Sequence, residues 1–336
     1  MTKPYILAHD LGTTGNKASL YNAEGALLAS AFSGYALSLP EVGWAEQDPQ
    51  DWWQAVCVST QQLLLAAAVP ADQIACVVFS GQMMGCVAVD RQARPLRSAL
   101  IWADMRAEAE AQALLDRFGM AEVYRITGHR ASSSYSGPKL LWVRNHQPDI
   151  FRRTYKVLQA KDFVVARLTG AFVTDHSDAS ATLLYDLRAG DWSDVLLDAA
   201  GLDRALLPEL HASSDVVGEV TGEAAAQTGL AAGTPVVIGG GDGPCATVGA
   251  GVVAEGSAYN YIGSSSWIGL TTGAPVYDPT MRTFTFAHLI PGLFSPCGTM
   301  QAAGASYQWL RDNVGLPEKE AAAKLGLSAY ELMNMQ

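Results

Sequence analysis

A glycine- and threonine-rich turn close to the amino terminus has residue types that could bind a phosphate group. Asp10 comes just before it, and Gly12, Thr13, Thr14 and Gly15 form it. Backbone N–H groups and threonine hydroxyls in a tight turn can bind an anion, and the Asp10 carboxylate could hold a hydrated Mg²⁺ ion. We expect the glycines to supply positive φ angles and to keep the turn open to a ligand. The alternative is an ordinary hairpin with a charged residue at its mouth.

A second turn of the same form occurs far along the chain. Gly263 is followed by Ser264 and Ser265, between two segments that are each typical of a strand. Two such hairpins in one chain suggest an internal duplication, in which each half begins with a phosphate-binding turn. The second copy has no aspartate just before its turn, so a metal ion would lie with the first. We therefore expect one polyphosphate to be held from both sides.

A carboxylate follows a run of three glycines at the end of an apolar segment. Residues 234–238 predict a buried strand, residues 239–241 are glycine, and Asp242 comes next. Glycine weakens a strand end unless something must approach the backbone closely, so the run favours a ligand site beside Asp242. We expect Pro244 to begin a helix there. The alternative is that Asp242 only stabilises the amino terminus of that helix.

Two more loops follow predicted strands, at the position where α/β proteins place their ligands. Each loop contains side chains that could line a pocket or brace one. The candidates are Gln82, Met83 and Met84 in the first loop, and Trp102, Asp104 and Arg106 in the second. The methionines could instead fill the core, Asp104 could cap the next helix, and Arg106 could pair with it.

The spacing of apolar and turn residues predicts the elements that hold these candidates. Strands are expected on both sides of each turn and at residues 74–79, 86–89 and 234–238. Helices are expected after Asp48 and Pro49, over residues 107–118, and from Lys139 and Ala160 onward, the last of them ending at Gly170. Residues 174–180 are interpreted as a structural turn.

The composition of the 336-residue chain excludes several classes of protein. With 49% hydrophobic and 16% charged residues, it is long enough for about two domains with a large core. Its net charge of −11, without a cluster of lysine and arginine, argues against nucleic-acid binding. No apolar run is long enough to cross a bilayer, and no signal peptide is recognised. Five scattered cysteines fit no zinc or disulfide pattern, so we expect a cytoplasmic protein with reduced thiols.

Taken together, these segments resemble the FGGY family of carbohydrate kinases, and most closely its xylulokinase branch. The turn after Asp10 is similar to the first phosphate motif of the family, and residues 134–146 fit its long and specific first signature pattern. Residues 80–85 stand at the sugar-binding loop, residues 101–106 at a Trp-x-Asp-x-Arg stretch, Asp242 at the catalytic aspartate, and residues 263–266 at the second phosphate motif. The resemblance implies an α/β protein of the actin/hexokinase-like ATPase fold, in which two duplicated ribonuclease H-like domains enclose a cleft.

The resemblance implies phosphorylation of a sugar or polyol hydroxyl by ATP with Mg²⁺. Asp242 would accept the proton of the hydroxyl as its oxygen attacks the γ-phosphorus, and Asp10 would orient the metal ion through water. The residues implied to contact ATP are Asp10, Gly12, Thr13, Thr14, Gly15, Lys17, Gly263, Ser264 and Ser265. Those implied to shape the sugar pocket are Gln82, Met83, Met84, Trp102 and Gly243, with Asp104 and Arg106 bracing it.

Two positions depart from the xylulokinase pattern. Those enzymes typically have histidine where this chain has Met84, and asparagine after the catalytic aspartate, where it has Gly243. Both positions contact the sugar in the family, so two hydrogen-bonding groups are missing and some hydroxyls of a ketopentose would be left unpaired. A kinase for gluconate, glycerol, ribulose or another polyol is therefore an alternative to a xylulokinase.

The resemblance also divides the chain. Residues 1–250 would form the N-terminal kinase domain and residues 251–336 the start of a second, truncated domain, because family members are longer. The expected partner is a small-molecule sugar or polyol, with neither nucleic acid nor membrane, and a homodimer is left open. A truncated inactive product and a non-catalytic sugar- or nucleotide-sensing module of the same fold are the alternatives. Such sensors usually carry a DNA-binding helix-turn-helix, and none precedes Tyr5; the presence of Asp242 also favours an enzyme.

Overall fold

The computed structural model describes residues 3–335 as a mixed α/β protein. Its strands are β1 (Tyr5–Leu11), β2 (Gly15–Asn22), β3 (Leu27–Gly34), β4 (Glu46–Gln47), β5 (Ile74–Gly81), β6 (Val87–Val89), β7 (Ala99–Leu100), β8 (Lys156–Leu158), β9 (Val173–Asp175), β10 (Tyr185–Asp186), β11 (Asp191–Trp192), β12 (Glu209–His211), β13 (Val216–Glu219), β14 (Pro235–Gly241), β15 (Ala258–Ile262), β16 (Ser266–Leu270), β17 (Phe284–Ala287) and β18 (Phe294–Met300). Its helices are α1 (Pro49–Ala67), α2 (Glu108–Phe118), α3 (Met120–Thr127), α4 (Ser136–His146), α5 (Pro148–Arg153), α6 (Ala160–Thr169), α7 (His176–Ser180), α8 (Asp194–Ala200), α9 (Gly222–Thr228), α10 (Asp242–Gly249), α11 (Gly304–Asn313), α12 (Leu316–Leu325) and α13 (Ala329–Met333).

A six-stranded sheet in the order β13-β14-β5-β1-β2-β3 forms the centre of the first half of the chain. β1 and β2 make the predicted antiparallel hairpin, while β5 runs parallel to β1 and β14 runs parallel to β5. The register pairs Asp10 with Ser80, and Ser80 with Gly240. The carboxyl ends of three neighbouring strands therefore meet at one edge of the sheet, where α/β proteins place their ligands.

The side chains of β1 alternate between the core and the open face of this sheet. Leu7, His9 and Leu11 are buried, whereas Asp10 is exposed on the opposite face. The core side is covered by helices that include α1 and α6, which contribute the buried Trp52 and Phe163. Burial of a large apolar side chain contributes about 1.5–3 kcal/mol, so this layer fixes the sheet that presents Asp10.

Helix α1 begins where its capping residues predict. The Asp48 side chain accepts a hydrogen bond from the backbone N–H of Gln50, and Pro49 occupies the first helical position. The helix ends at Ala68, which adopts a left-handed conformation with φ of 51°. The predicted helices at residues 107–118 and 160–169 are likewise present as α2 and α6, and Gly170 ends the latter.

The second half of the chain contains a four-stranded antiparallel sheet in the order β15-β16-β18-β17. β15 and β16 form the second predicted hairpin, with Ile262 opposite Ser266. In each half a hairpin is continued by a third antiparallel strand, β3 beside β2 in the first and β18 beside β16 in the second. This common arrangement agrees with the duplication that the two turns suggested.

Three local expectations are wrong. Helix α10 begins at Asp242 instead of Pro244, because the chain turns into the helix directly after the last glycine. Residues 174–180 are not a turn but the end of β9 followed by α7, which the Asp175 side chain caps. Neither Gly12 nor Gly15 has a positive φ; a β-carbon at Gly15 would instead lie 2.4 Å from the Phe32 ring, so close packing of β2 on β3 requires the glycine.

Candidate active site

An open cleft of about 420 Å³ lies on the exposed face of the central sheet. Asp10 and Lys17, which are opposite each other in the first hairpin, line it together with Ser80 from the end of β5. Cys245 from the first turns of α10 closes another side. The cleft therefore lies between the two strands of the first hairpin and the helix that begins at Asp242.

Asp242 follows the last residue of β14 and is close enough to Asp10 in the cleft for the charge of Asp10 to act on it. It is exposed by surface area, yet protein atoms crowd around it and desolvate its carboxylate. This desolvation raises the pKa of Asp242 to about 6, against a hydrogen bond from the Gly243 N–H that lowers it; the negative charge of Asp10 raises it further. A carboxylate with a pKa close to neutrality can accept a proton at physiological pH and release it again.

Protein neighbours crowd the three glycines before Asp242, and at Gly239 they require glycine. Gly239 has a φ of 70°, and a β-carbon there would collide with the carbonyl oxygen of Phe79. A β-carbon at Gly241 would lie 2.6 Å from the sulfur of Met83, whose flexible side chain could move aside. At Gly239 and Gly241 the close approach that the glycine run predicted is thus that of β5 and the loop after it.

The position after Asp242 is enclosed by apolar groups. The indole ring of Trp267, from β16, comes within 3.4 Å of the place that a β-carbon at Gly243 would occupy, and the Met83 sulfur within 3.9 Å. Tyr259 and Tyr261 meet the Trp267 ring edge-on. Trp267 was missed in the sequence, where it is one of eight tryptophans and only its place three residues after Ser264 could have drawn attention to it.

The first turn is tied to both candidate loops. The Gly12 N–H donates to the Gly15 carbonyl oxygen at 3.1 Å, and the Trp102 Nε1–H donates to the Thr13 hydroxyl at 2.9 Å. The Gln82 N–H donates to the carbonyl oxygen of Leu11 at 2.8 Å. The turn is therefore positioned by the same loops that carry the candidate sugar-binding residues.

The first candidate loop has buried and accessible members. Gln82 and Met83 are 3% and 4% exposed, and Met83 packs in a small cluster with Phe286 and Cys297. The structure therefore supports the alternative interpretation of Met83, in which its side chain fills the core. Met84 is half-buried and has a φ of 63°, a left-handed conformation that is uncommon for a non-glycine residue.

In the second candidate loop Trp102 and Met105 are open to solvent, at 44% and 42% exposed, whereas Asp104 is fully buried. Asp104 accepts two hydrogen bonds from the Arg106 guanidinium and one from the Ala45 N–H, while Arg106 also pairs with Glu46 at 2.7 Å. Asp104 and Arg106 thus form the expected pair, in a position to brace the loop behind Trp102.

The second turn packs on the start of helix α11. The Gly263 N–H donates to the Ser265 carbonyl oxygen at 2.8 Å, and the Ala303 and Ala305 N–H groups donate to the Ser264 carbonyl oxygen. A β-carbon at Gly304 would lie 2.4 Å from the Gly263 carbonyl oxygen, so glycine is required there. Ser264 and Ser265 are exposed and free to meet a ligand.

A buried ionic cluster behind Asp242 was also missed in the sequence. The Lys161 ammonium lies 2.7 Å from Asp162, 2.9 Å from Asp175 and 3.1 Å from Asp178, and all four side chains are at most 1% exposed. Desolvation alone would lower the pKa of Lys161, but the three carboxylates raise it well above its ordinary value. Desolvation raises the pKa of Asp178, and repulsion from its carboxylate neighbours adds to this against the attraction of Lys161.

The ionic cluster supports β14, the strand that leads to Asp242. Asp175 accepts hydrogen bonds from the hydroxyls of Ser177 and Ser213, at 2.5 and 2.8 Å. The Ser177 hydroxyl in turn accepts a bond from the Gly241 N–H at 3.0 Å. The sequence could have indicated this cluster only by placing three aspartates and a lysine in segments that are otherwise apolar. That these four side chains meet depends on the tertiary structure.

The donor groups of the cleft fit Mg²⁺ better than a tightly liganded metal. Among residues 3–335, no group of three or more His, Cys, Asp or Glu side chains converges as a metal site. The Asp10 carboxylate is exposed and accepts a bond from the Ser80 hydroxyl at 3.0 Å. Mg²⁺ usually takes one or two carboxylates, several waters and substrate phosphates, and an open cleft with Asp10 at its wall suits that mode.

The chain is similar to known sugar kinases in sequence. It is 35% identical to the xylulose kinase of Escherichia coli (strain K12) over 322 residues, which are 96% of this chain and 66% of that protein. It is 34% identical to the autoinducer-2 kinase of Salmonella typhimurium over 339 aligned residues, covering 98% of this chain and 63% of that protein. The chain therefore spans about 65% of the length of these curated relatives.

The structure is also similar to solved members of this group. The crystal structure of xylulose kinase from Rhodospirillum rubrum superposes with a TM-score of 0.89 at 29% identity, covering 96% of this chain and 65% of that one. The fold is thus the actin/hexokinase-like ATPase fold. No helix among residues 3–335 has both the length and the apolar character needed to cross a membrane. Residues 5–249 match the N-terminal domain of the FGGY family of carbohydrate kinases, and the chain belongs to that family.

Proposed function

We propose that the protein phosphorylates a hydroxyl group of a sugar or polyol with ATP, with Asp242 as the general base. The observation that carries this proposal is the position of Asp242 beside Asp10, at the edge where β1, β5 and β14 end, with its pKa raised to about 6 by desolvation. On this proposal residues 1–250 form the N-terminal kinase domain and residues 251–336 belong to the second. The small-molecule substrate would lie between them.

Asp242 acts on the acceptor hydroxyl. Its carboxylate accepts the hydroxyl proton as the oxygen attacks the γ-phosphorus of ATP, while the phosphorus–oxygen bond to ADP breaks. Trp267 and Met83 line the backbone beside Asp242 with apolar groups, and a bound acceptor would have to displace water from the exposed carboxylate itself, which would limit transfer of the phosphoryl group to water.

The two turns bind the phosphates. The hydroxyls and N–H groups at Thr13 and Thr14 face them from one side, Ser264 and Ser265 from the other, and Lys17 adds a positive charge in the cleft. Asp10 would hold Mg²⁺ in the cleft, and a bound Mg²⁺ would supply positive charge to the phosphate oxygens. Use of ATP and the free state of all five cysteines fit a cytoplasmic enzyme.

The rate should fall in acid, because the base must be ionised. With the pKa of Asp242 near 6, the ionised fraction decreases about tenfold for each pH unit below that value. We expect kcat/KM to follow this fraction. Initial rates between about pH 5 and 8, with melting curves recorded over the same range, test this expectation. A kcat/KM that stays constant down to about pH 5 would contradict it.

The substrate should be less hydroxylated than D-xylulose, or a different polyol. Met84 and Gly243 lack the hydrogen-bonding groups of the xylulokinase pattern, and Trp267 fills the space beside Gly243. A pocket with apolar groups at these places leaves substrate hydroxyls unpaired and loses affinity. An ATP-coupled screen of ketoses, their deoxy analogues, polyols and sugar acids on the full-length gene product tests this. Strong preference for D-xylulose over every other compound would refute the inference about the substrate, whereas activity with none of them would refute the kinase proposal.

A further inference from the structure

Lys139 is a buried cation whose position the proposed mechanism does not use. It is the fourth residue of helix α4, and its side chain is 0% exposed. Its ammonium donates to three backbone carbonyl oxygens: that of Met84 at 2.9 Å, that of Ile101 at 2.6 Å and that of Ser134 at 2.5 Å. An ammonium has three N–H donors, so all of them are used.

The three acceptors belong to three separate segments around the candidate sugar pocket. Met84 is in the first candidate loop, Ile101 directly precedes Trp102, and Ser134 lies just before α4. Of the candidate pocket residues in the two loops, Met84 and Trp102 remain accessible, whereas Gln82, Met83, Asp104 and the Arg106 side chain are buried. Met105, which was not a candidate, is also exposed. Lys139 therefore bonds to the backbone at or next to the two accessible candidates.

The backbone at Met84 needs such support. Its φ of 63° is unfavourable for a residue with a side chain, and conformations of this kind persist where the surroundings hold them. The charge on Lys139 strengthens its bonds to the carbonyl oxygens. Desolvation lowers the pKa of Lys139 to about 7, against the opposing charge of the Asp104 carboxylate; the three carbonyl oxygens favour the ammonium form, which alone has three donors.

We propose that Lys139 is a positioning residue for the acceptor substrate: through three backbone bonds it fixes Met84 and Trp102 at the distance from each other that the sugar or polyol requires. This inference rests on the proposed function for the identity of the ligand. It assigns the lysine of the signature segment a role in acceptor binding, and Lys139 reaches the first phosphate turn indirectly, through the hydrogen bond from Trp102 to Thr13. Loss of Lys139 should therefore weaken acceptor binding more than ATP binding.

Three variants of the full-length gene product test this proposal. Lys139→Met removes the three bonds, and Lys139→Arg keeps the charge but has a planar group that cannot donate to three converging carbonyls. Lys156→Met is the matched control, because Lys156 donates to the Leu207 carbonyl oxygen at 2.7 Å away from the cleft. We expect both Lys139 variants to raise KM for the acceptor at least about tenfold, with KM for ATP changed less than about threefold. Lys156→Met should change neither.

Hydrogen–deuterium exchange separates this proposal from the proposed function. Peptides covering residues 82–85 and 101–105 should exchange faster in the Lys139 variants than in Lys156→Met, whether or not a substrate is known. If the Lys139→Met protein does not fold, the acceptor KM and the exchange rates of the Lys139→Arg protein provide the test. A Lys139→Arg protein with normal acceptor KM and normal exchange in both peptides overturns the proposal. If the peptides exchange faster in the Lys139 variants but the unmodified protein phosphorylates no acceptor, the proposed kinase function is overturned. The positioning of the two loops by the hydrogen bonds of Lys139 would still be supported.

Discussion

Replacement of Asp242 by asparagine should lower kcat by about 10²–10⁴-fold. Asparagine keeps the size and shape of the side chain but cannot accept the proton of the attacking hydroxyl. Acceptor KM should change little, because the amide can still form a hydrogen bond to that hydroxyl. Steady-state kinetics on the full-length gene product give both constants.

The same variant distinguishes catalysis from stabilisation of a helix terminus. Asp242 is the first residue of α10, and a carboxylate there could contribute about 0.3–1 kcal/mol through the helix dipole. However, desolvation raises its pKa, so the ionised form is disfavoured in the folded protein and asparagine should not lower the melting temperature. Asp51→Asn, in the first turn of α1, is the matched control: it should change stability slightly and leave kcat intact. A normal kcat with a lowered melting temperature for Asp242→Asn would contradict the catalytic role.

Replacement of Lys161 by methionine should destabilise the protein by about 3–5 kcal/mol. The substitution leaves Asp162, Asp175 and Asp178 buried together without the cation that lies within 3.1 Å of each. Each carboxylate must then be protonated or remain as an unpaired buried charge, and both cost free energy of folding. Denaturant unfolding followed by far-UV circular dichroism measures the loss.

A surface ion pair offers the control for this prediction. Arg204 contacts Asp191 and Asp194, and its side chain is 47% exposed. Arg204→Met should therefore cost no more than about 1 kcal/mol. If Lys161→Met costs as little as Arg204→Met, the buried ionic cluster does not hold the strand that leads to Asp242.

The hairpins, the capped helices and the strand before Asp242 were predictable because local patterns determine them. Asp48 and Pro49 are adjacent in the sequence, and the alternation of Lys17, Ser19 and Tyr21 with Ala18 and Leu20 is visible within β2. That Asp10 and Asp242 serve one site was implied only by the family resemblance, because residue patterns do not show which strands are neighbours.

The reasons for the glycines and the supporting contacts were not predictable, because they depend on which segments meet in space. A β-carbon at Gly15 would collide with Phe32 and with the Ser33 carbonyl oxygen across the sheet, and one at Gly239 with the backbone of Phe79. No spacing along the chain relates Lys161 to Asp175. Likewise, the sequence predicted a helix from Lys139 onward, but not that its ammonium donates hydrogen bonds to three separate segments.

The central claim is that this protein transfers the γ-phosphoryl group of ATP to a carbon-bound hydroxyl with Asp242 as base. Incubation of the full-length gene product with γ-³²P-labelled ATP, Mg²⁺ and a mixture of sugars and polyols, followed by separation of the products, tests it most directly. We predict that label appears in a phosphorylated acceptor, and that Asp242→Asn reduces the rate of its formation by about 10²–10⁴-fold. Label found only in inorganic phosphate, or an equal rate of acceptor labelling in both proteins, would contradict the claim.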